Sequence, residues 1–163
     1  MKIRQLFFNF MLGILLFMGA GLVKVFASGD FPCYVQLVKT NCWKDFEITV
    51  QPIDVISQQK TGEPIILGKE VFEKVVPVAC KPGQPISFTG AFSPPTWEGT
   101  ENKHYVARHF WMPPDSLPKN ADKWVISVCF AEDFTSVPLP PSATSVCECK
   151  FSELPRSQVL KFH

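Results

Sequence analysis

From Phe46 onward the chain alternates apolar and polar residues with the two-residue period of a half-buried strand. Phe46, Ile48 and Val50 are separated by Glu47 and Thr49. Successive side chains of a strand point to opposite faces, so such a stretch buries one face and wets the other. The phase slips at Gln51-Pro52, and Ile53 and Val55 continue on the new one. A proline with a one-residue slip predicts a bulge on an edge strand. Residues 58–63 read as a hairpin loop, after which 65–67 and 71–76 are expected to form one returning strand. A second turn at 81–85 leads to Ile86, Phe88, Gly90 and Phe92 on one face, with Ser87 and Thr89 on the other. Residues 104–111 predict an aromatic-rich strand. Trp124, Ile126, Val128 and Phe130 make the clearest core face, opposite Val125, Ser127 and Cys129. A short strand at 146–151 is expected to close the fold.

No segment has a helical period with caps. The chain has 15 prolines, which lack the N–H that helix interiors and central strands require. Six to eight short strands joined by proline-rich turns predict an all-β domain, an antiparallel β-sandwich or barrel-like fold.

Residues 1–27 depart from this pattern. Lys2 and Arg4 precede an apolar run from Leu6 to Val23, and Val25-Phe26-Ala27 places small or apolar residues before Ser28. That order is the signature of a cleavable secretory signal peptide rather than a membrane anchor. The expected organisation is a leader over 1–27 and one globular β domain over 28–163, with a loose tail after 155 and no membrane insertion after cleavage. Without Lys2, Arg4 and Lys24, thirteen basic residues face fifteen acidic ones, a net charge of about −2. No basic stripe is present, which argues against a nucleic-acid partner.

Cys33, Cys42, Cys80, Cys129, Cys147 and Cys149 all follow the leader. An even set behind a signal peptide predicts disulfides. The spacings contain neither a Cys-x(2–4)-Cys zinc pair nor a redox Cys-x-x-Cys, so no metal site is expected. Connectivity is open among 15 pairings. Cys147 and Cys149 project from the same face of an extended segment, so they are expected to bond to different partners. Cys33–Cys42 is disfavoured if residues 33–39 are extended.

Catalytic signatures are missing. There is no Gly-x-Ser-x-Gly, His-Glu-x-x-His, P-loop or dinucleotide fingerprint, and no cofactor is expected. His104 and His109 are predicted to point to opposite faces of one strand. Glu98 and Glu101 in one loop, and Glu132 and Asp133 in another, read as solvated loop charges.

The proline-rich loops carry more information. Pro94, Pro95 and Trp97 share one; Trp111, Met112 and Leu117 flank a second; Leu139 sits in a third. Stiff apolar loops lose little entropy on docking and carry side chains enriched at binding hot spots. If 86–92, 104–111 and 123–131 run antiparallel in succession, Trp97, Phe134 and Leu139 share one end, rimmed by acidic residues. Trp111 and Met112 would then lie at the other. The expectation is an exported, non-enzymatic protein-binding domain whose partner is another protein, such as an inhibitor, chaperone or docking factor, in a bacterial periplasm or outside the cell. The alternatives are a small secreted hydrolase using loop carboxylates and a structural component of an envelope assembly.

Overall fold

The computed structural model describes residues 31–143 and 146–152; the expected leader and the tail after 155 lie outside them. Within the described residues seven strands form two sheets: β1 (Cys33–Lys39), β2 (Glu47–Asp54), β3 (Ile65–Leu67), β4 (Glu73–Val78), β5 (Ile86–Ser93), β6 (Tyr105–Val106) and β7 (Trp124–Phe130). A three-residue 3-10 turn, Asn41–Trp43, follows β1. One sheet has the order β4-β1-β7 and the other β3-β2-β5-β6. They face each other as a disulfide-stapled β-sandwich.

The core is the pair of inner faces. Val35 and Leu37 of β1 and Ile126, Val128 and Phe130 of β7 meet Ile48 and Val50 of β2 and Phe88 of β5, all fully buried. Burying a side chain of this size stabilises by about 1.5–3 kcal/mol. Trp43 closes one end, its ring 5.0 Å from both Phe92 and Phe130. β5 and β7 therefore finish at the same end of the sandwich.

Pairing differs from the sequence expectation in several places. β7 does not continue a meander after β6. It runs parallel to β1, Cys33 opposite Trp124 and Lys39 opposite Phe130. The other pairings are antiparallel. Residues 65–76 are not one strand. β3 pairs with β2, whereas β4 crosses to the other sheet and pairs with β1. The crossing falls at 68–72, where the Val71 N–H donates to the Gly68 carbonyl.

β2 carries no bulge and is not an edge strand. Its alternation runs unbroken, with Pro52 and Asp54 turned inward and Ile53 outward. Pro52 is tolerated because its missing N–H lies on the side where β3 has already ended. There its carbonyl accepts the Thr61 N–H instead. The hairpin turns earlier than expected, at Asp54. The Asp54 Oδ1 accepts the Ser57 N–H at 2.7 Å, an Asx-type turn, and that bond holds the carboxyl below its ordinary pKa.

The 104–111 strand is interrupted. Thr89 pairs with Val106 and Ile86 with Trp111, so three steps along β5 match five along the opposite segment. The two surplus residues bulge at 107–110, as extra residues in a ladder do.

Residues 146–152 form no strand. They lie against the three-stranded sheet, held by Cys42–Cys147 and Cys129–Cys149. Gln36 Nε2 reaches the Ser152 carbonyl at 3.1 Å. Val125 and Cys129, opposite the core face of β7, are buried as well, Cys129 through its bridge to Cys149. The third bridge is Cys33–Cys80, and no cysteine is free. Cys147 and Cys149 bond to different partners, and Cys33 is not joined to Cys42, as the extended geometry required.

Candidate functional site

The loop end of the sandwich is built on Trp43, Phe92 and Phe130. Trp97 packs edge-on against Phe92, ring centroids 5.9 Å apart, and is half-buried. This contact pins a loop whose Pro94 and Pro95 stand exposed. The loop after β7 is anchored similarly. Val137 packs against the core, and two residues on Leu139 is 62% exposed.

Two residues expected on the surface are core instead. Phe134 is 0% and Trp111 1% exposed. Phe134 packs 5.4 Å from Phe130, and Trp111 meets Phe88 edge-on at 5.0 Å. The physical reason is the shortness of the sheets. Two-residue β6 leaves the flank of the sandwich open, and Phe134, bridged to Ala107, fills it. Met112 is half-buried beside Trp111. Asp133 leaves the expected acidic rim as well. It is buried, with Oδ2 accepting the Cys129 N–H at 2.7 Å and Oδ1 3.6 Å from His109 Nε2. Glu98, Glu101 and Glu132 remain exposed. His104 is exposed and His109 half-buried.

A concave feature lies elsewhere, where the sequence pattern gave no expectation of one. A cavity of about 400 Å³ opens on the outer face of the four-stranded sheet. Ile53 and Val55 form one wall, Ser87 and Thr89 the floor, and Val106, Arg108 and Phe110 the other wall. Its signal was present but misassigned. The apolar phase slip at Ile53 and Val55 marks apolar residues on the outward face, not a bulge in β2. The bulge lies in the facing segment and raises Arg108 and Phe110.

Lys39 is the one fully buried cation among the described residues. Its Nζ donates to the Phe46 and Gly68 carbonyls, tying the entry to β2 to the exit from β3. Burial pushes its pKa down, against the pull of Asp45 and Glu47. This is a clasp between backbone segments, with all its shown contacts to carbonyls. Among the described residues no cluster of three or more His, Cys, Asp or Glu side chains could hold a metal ion, and no helix is long and apolar enough to cross a membrane. Set against known proteins, the chain matches no family model, no curated protein and no solved structure.

Proposed function

We propose that this is an exported, non-enzymatic domain that docks to another protein through the loop end of the sandwich. The observation that carries this reading is the anchoring of Trp97 on Phe92 with Pro94 and Pro95 exposed beside it. The loop is stiffened by proline and fastened from below, so its apolar tip is held out at little entropic cost on binding. Leu139, on the loop that leaves from the same end, adds an exposed branched side chain. Glu98, Glu101 and Glu132 give the tip an acidic margin, which favours a partner with basic groups around an apolar centre. The three disulfides fit an oxidising compartment.

The binding reading is favoured over a hydrolase at the loop after β7, where Asp133 is committed to the Cys129 N–H.

Site-specific photo-crosslinking in the native host tests the reading. A crosslinker at position 95 or 139 should capture one and the same protein, and a crosslinker at exposed Ile56, on another surface, should not. Leu139→Asp should then weaken that complex by about 2 kcal/mol or more, the hot-spot scale, without lowering thermal stability. Failure of both loop positions to capture a partner would overturn the proposal.

A further inference from the structure

The cleft on the outer face of the four-stranded sheet is a separate site. We propose that it binds a small amphiphilic carboxylate, a molecule with one carboxylate head and an aliphatic or phenylalkyl body.

The head is assigned by Arg108. Its Nε donates to the Phe134 carbonyl at 2.9 Å, and its backbone N–H to the Asp133 carbonyl at 2.8 Å. The side chain is thus tethered at one nitrogen, and the two terminal nitrogens keep their donors in a planar fork. That fork matches the two oxygens of a carboxylate. Among the described residues no carboxylate lies within ion-pair distance of Arg108; the nearby Asp133 carboxylate faces His109 Nε2 instead, 3.6 Å away. No Asp or Glu lines the cleft. Arg108 is exposed and brings to the cleft a positive charge that no carboxylate of the described residues pairs with, and one guanidinium calls for one anionic group.

The body is assigned by the walls. Val106 is 55% and Phe110 38% exposed, and Ile53 and Val55 face them across β5. Their apolar surface stays in water unless something covers it. The volume lies near the lower end of small-molecule sites, roughly 300–1,000 Å³.

The edge beside the cleft argues against an added peptide strand. The Val106 carbonyl already accepts the Thr135 N–H at 2.9 Å, and the Arg108 N–H is spent on Asp133. A ligand must therefore lie across the face, over Ser87 and Thr89, where backbone pairing is unavailable. The Ser87 hydroxyl is also engaged, on the His109 carbonyl at 3.3 Å. The floor thus offers Thr89 as its remaining hydroxyl, and the Arg108 fork bears the recognition of charge.

The test is an amide-resolved NMR titration of the full exported chain, disulfides intact, with sodium octanoate, octylammonium and 1-octanol. Octanoate should shift saturably the amides of 53–55, 87–89 and 106–110. The ammonium and the alcohol should bind at least about ten-fold more weakly, the scale of losing a charged hydrogen-bonded pair. Arg108→Gln should weaken octanoate by a similar factor and leave octanol unchanged. Val106→Asp, at an exposed position that the core does not need, should abolish octanoate binding and settles the matter if the Arg108 variant does not fold. Equal affinity for octanoate and octanol would overturn the proposal. So would shifts confined to other surfaces, or no response at about 10 mM, ten-fold above a millimolar Kd. A response to an acidic peptide without one to octanoate would assign the cleft to a protein segment instead, and equally overturn it.

Discussion

Phe134 lies so close over Gly90 that a β-carbon built on the glycine would stand 2.9 Å from the ring's Cε1 and 3.1 Å from the Phe130 ring. The residue that reads as a loop side chain therefore dictates the composition of the central strand β5. Any side chain at 90 pushes against two buried rings at once.

Gly90→Ala should cost about 1–3 kcal/mol, the usual penalty of overpacking, although alanine suits a strand better than glycine. Phe134→Ala should cost about 3–5 kcal/mol. Leu139→Ala, five residues on and exposed, should stay within about 0.5 kcal/mol. Chemical denaturation of the three variants checks the order. A Phe134 variant as stable as the Leu139 variant would contradict the burial.

Cys42–Cys147 closes a separation of 105 residues. Chain-entropy bookkeeping gives a bridge of that span about 4–5 kcal/mol. Cys129–Cys149 closes only 20 and should contribute about 3 kcal/mol by the same reasoning. The paired serine substitution at 42 and 147 should accordingly lower the melting temperature more than that at 129 and 149. Peptide mapping under non-reducing conditions should recover Cys33–Cys80, Cys42–Cys147 and Cys129–Cys149. A Cys147–Cys149 bridge would refute the arrangement.

Glu73 fastens the 146–152 segment. It accepts the Ser152 hydroxyl and the Gln36 amide at 2.8 Å. Burial pushes its carboxyl up, but the Ser152 hydroxyl, the Gln36 amide and the Ser152 N–H outweigh this and hold it below its ordinary value of 4.5. With the folded value below the unfolded one, its contribution is present above pH 4.5 and is lost as pH falls through the folded value. Stability measured from pH 6 downward should therefore decline less steeply in Glu73→Gln than in the parent. Over the same window the amides of 150–152 should lose protection relative to their intrinsic exchange rate in the parent. Parallel acid limbs in the two proteins would count against this role.

Tyr105 is buried, and its hydroxyl has no hydrogen-bond partner among the described residues. Removing that oxygen relieves a desolvated polar group, so Tyr105→Phe should be neutral or stabilising by about 1 kcal/mol. Burial also raises its pKa above 10.0. Its contribution is full below pH 10 and fades as pH rises through the folded value, so the phenylalanine variant should lose less stability in alkali. A loss of stability at neutral pH on substitution would show that the hydroxyl is satisfied.

Local periodicity was enough to find the core faces of β2, β5 and β7, the last of which is buried on its other face as well. The alternation at Ile48 and Val50, at Ile86, Phe88 and Phe92, and at Trp124 to Phe130 is visible because side chains in a strand reverse every residue. The all-β class, the cysteine bridges and the separate destinations of Cys147 and Cys149 follow from such local rules. Sheet membership does not. That β4 leaves β3 for β1, and that β7 runs parallel to β1, depends on which edges remain free once the other strands have paired. No window of sequence holds that information. The same holds for surface and core in the loops. Pro95 and Phe134 read alike as apolar loop residues. Only the gap beside two-residue β6 decides that Phe134 turns in. Ile53 makes the point in reverse: its apolar character reads as a shifted core phase, yet the unbroken pairing of β2 with β5 sends it outward, because a strand paired along its length cannot change face without an inserted residue.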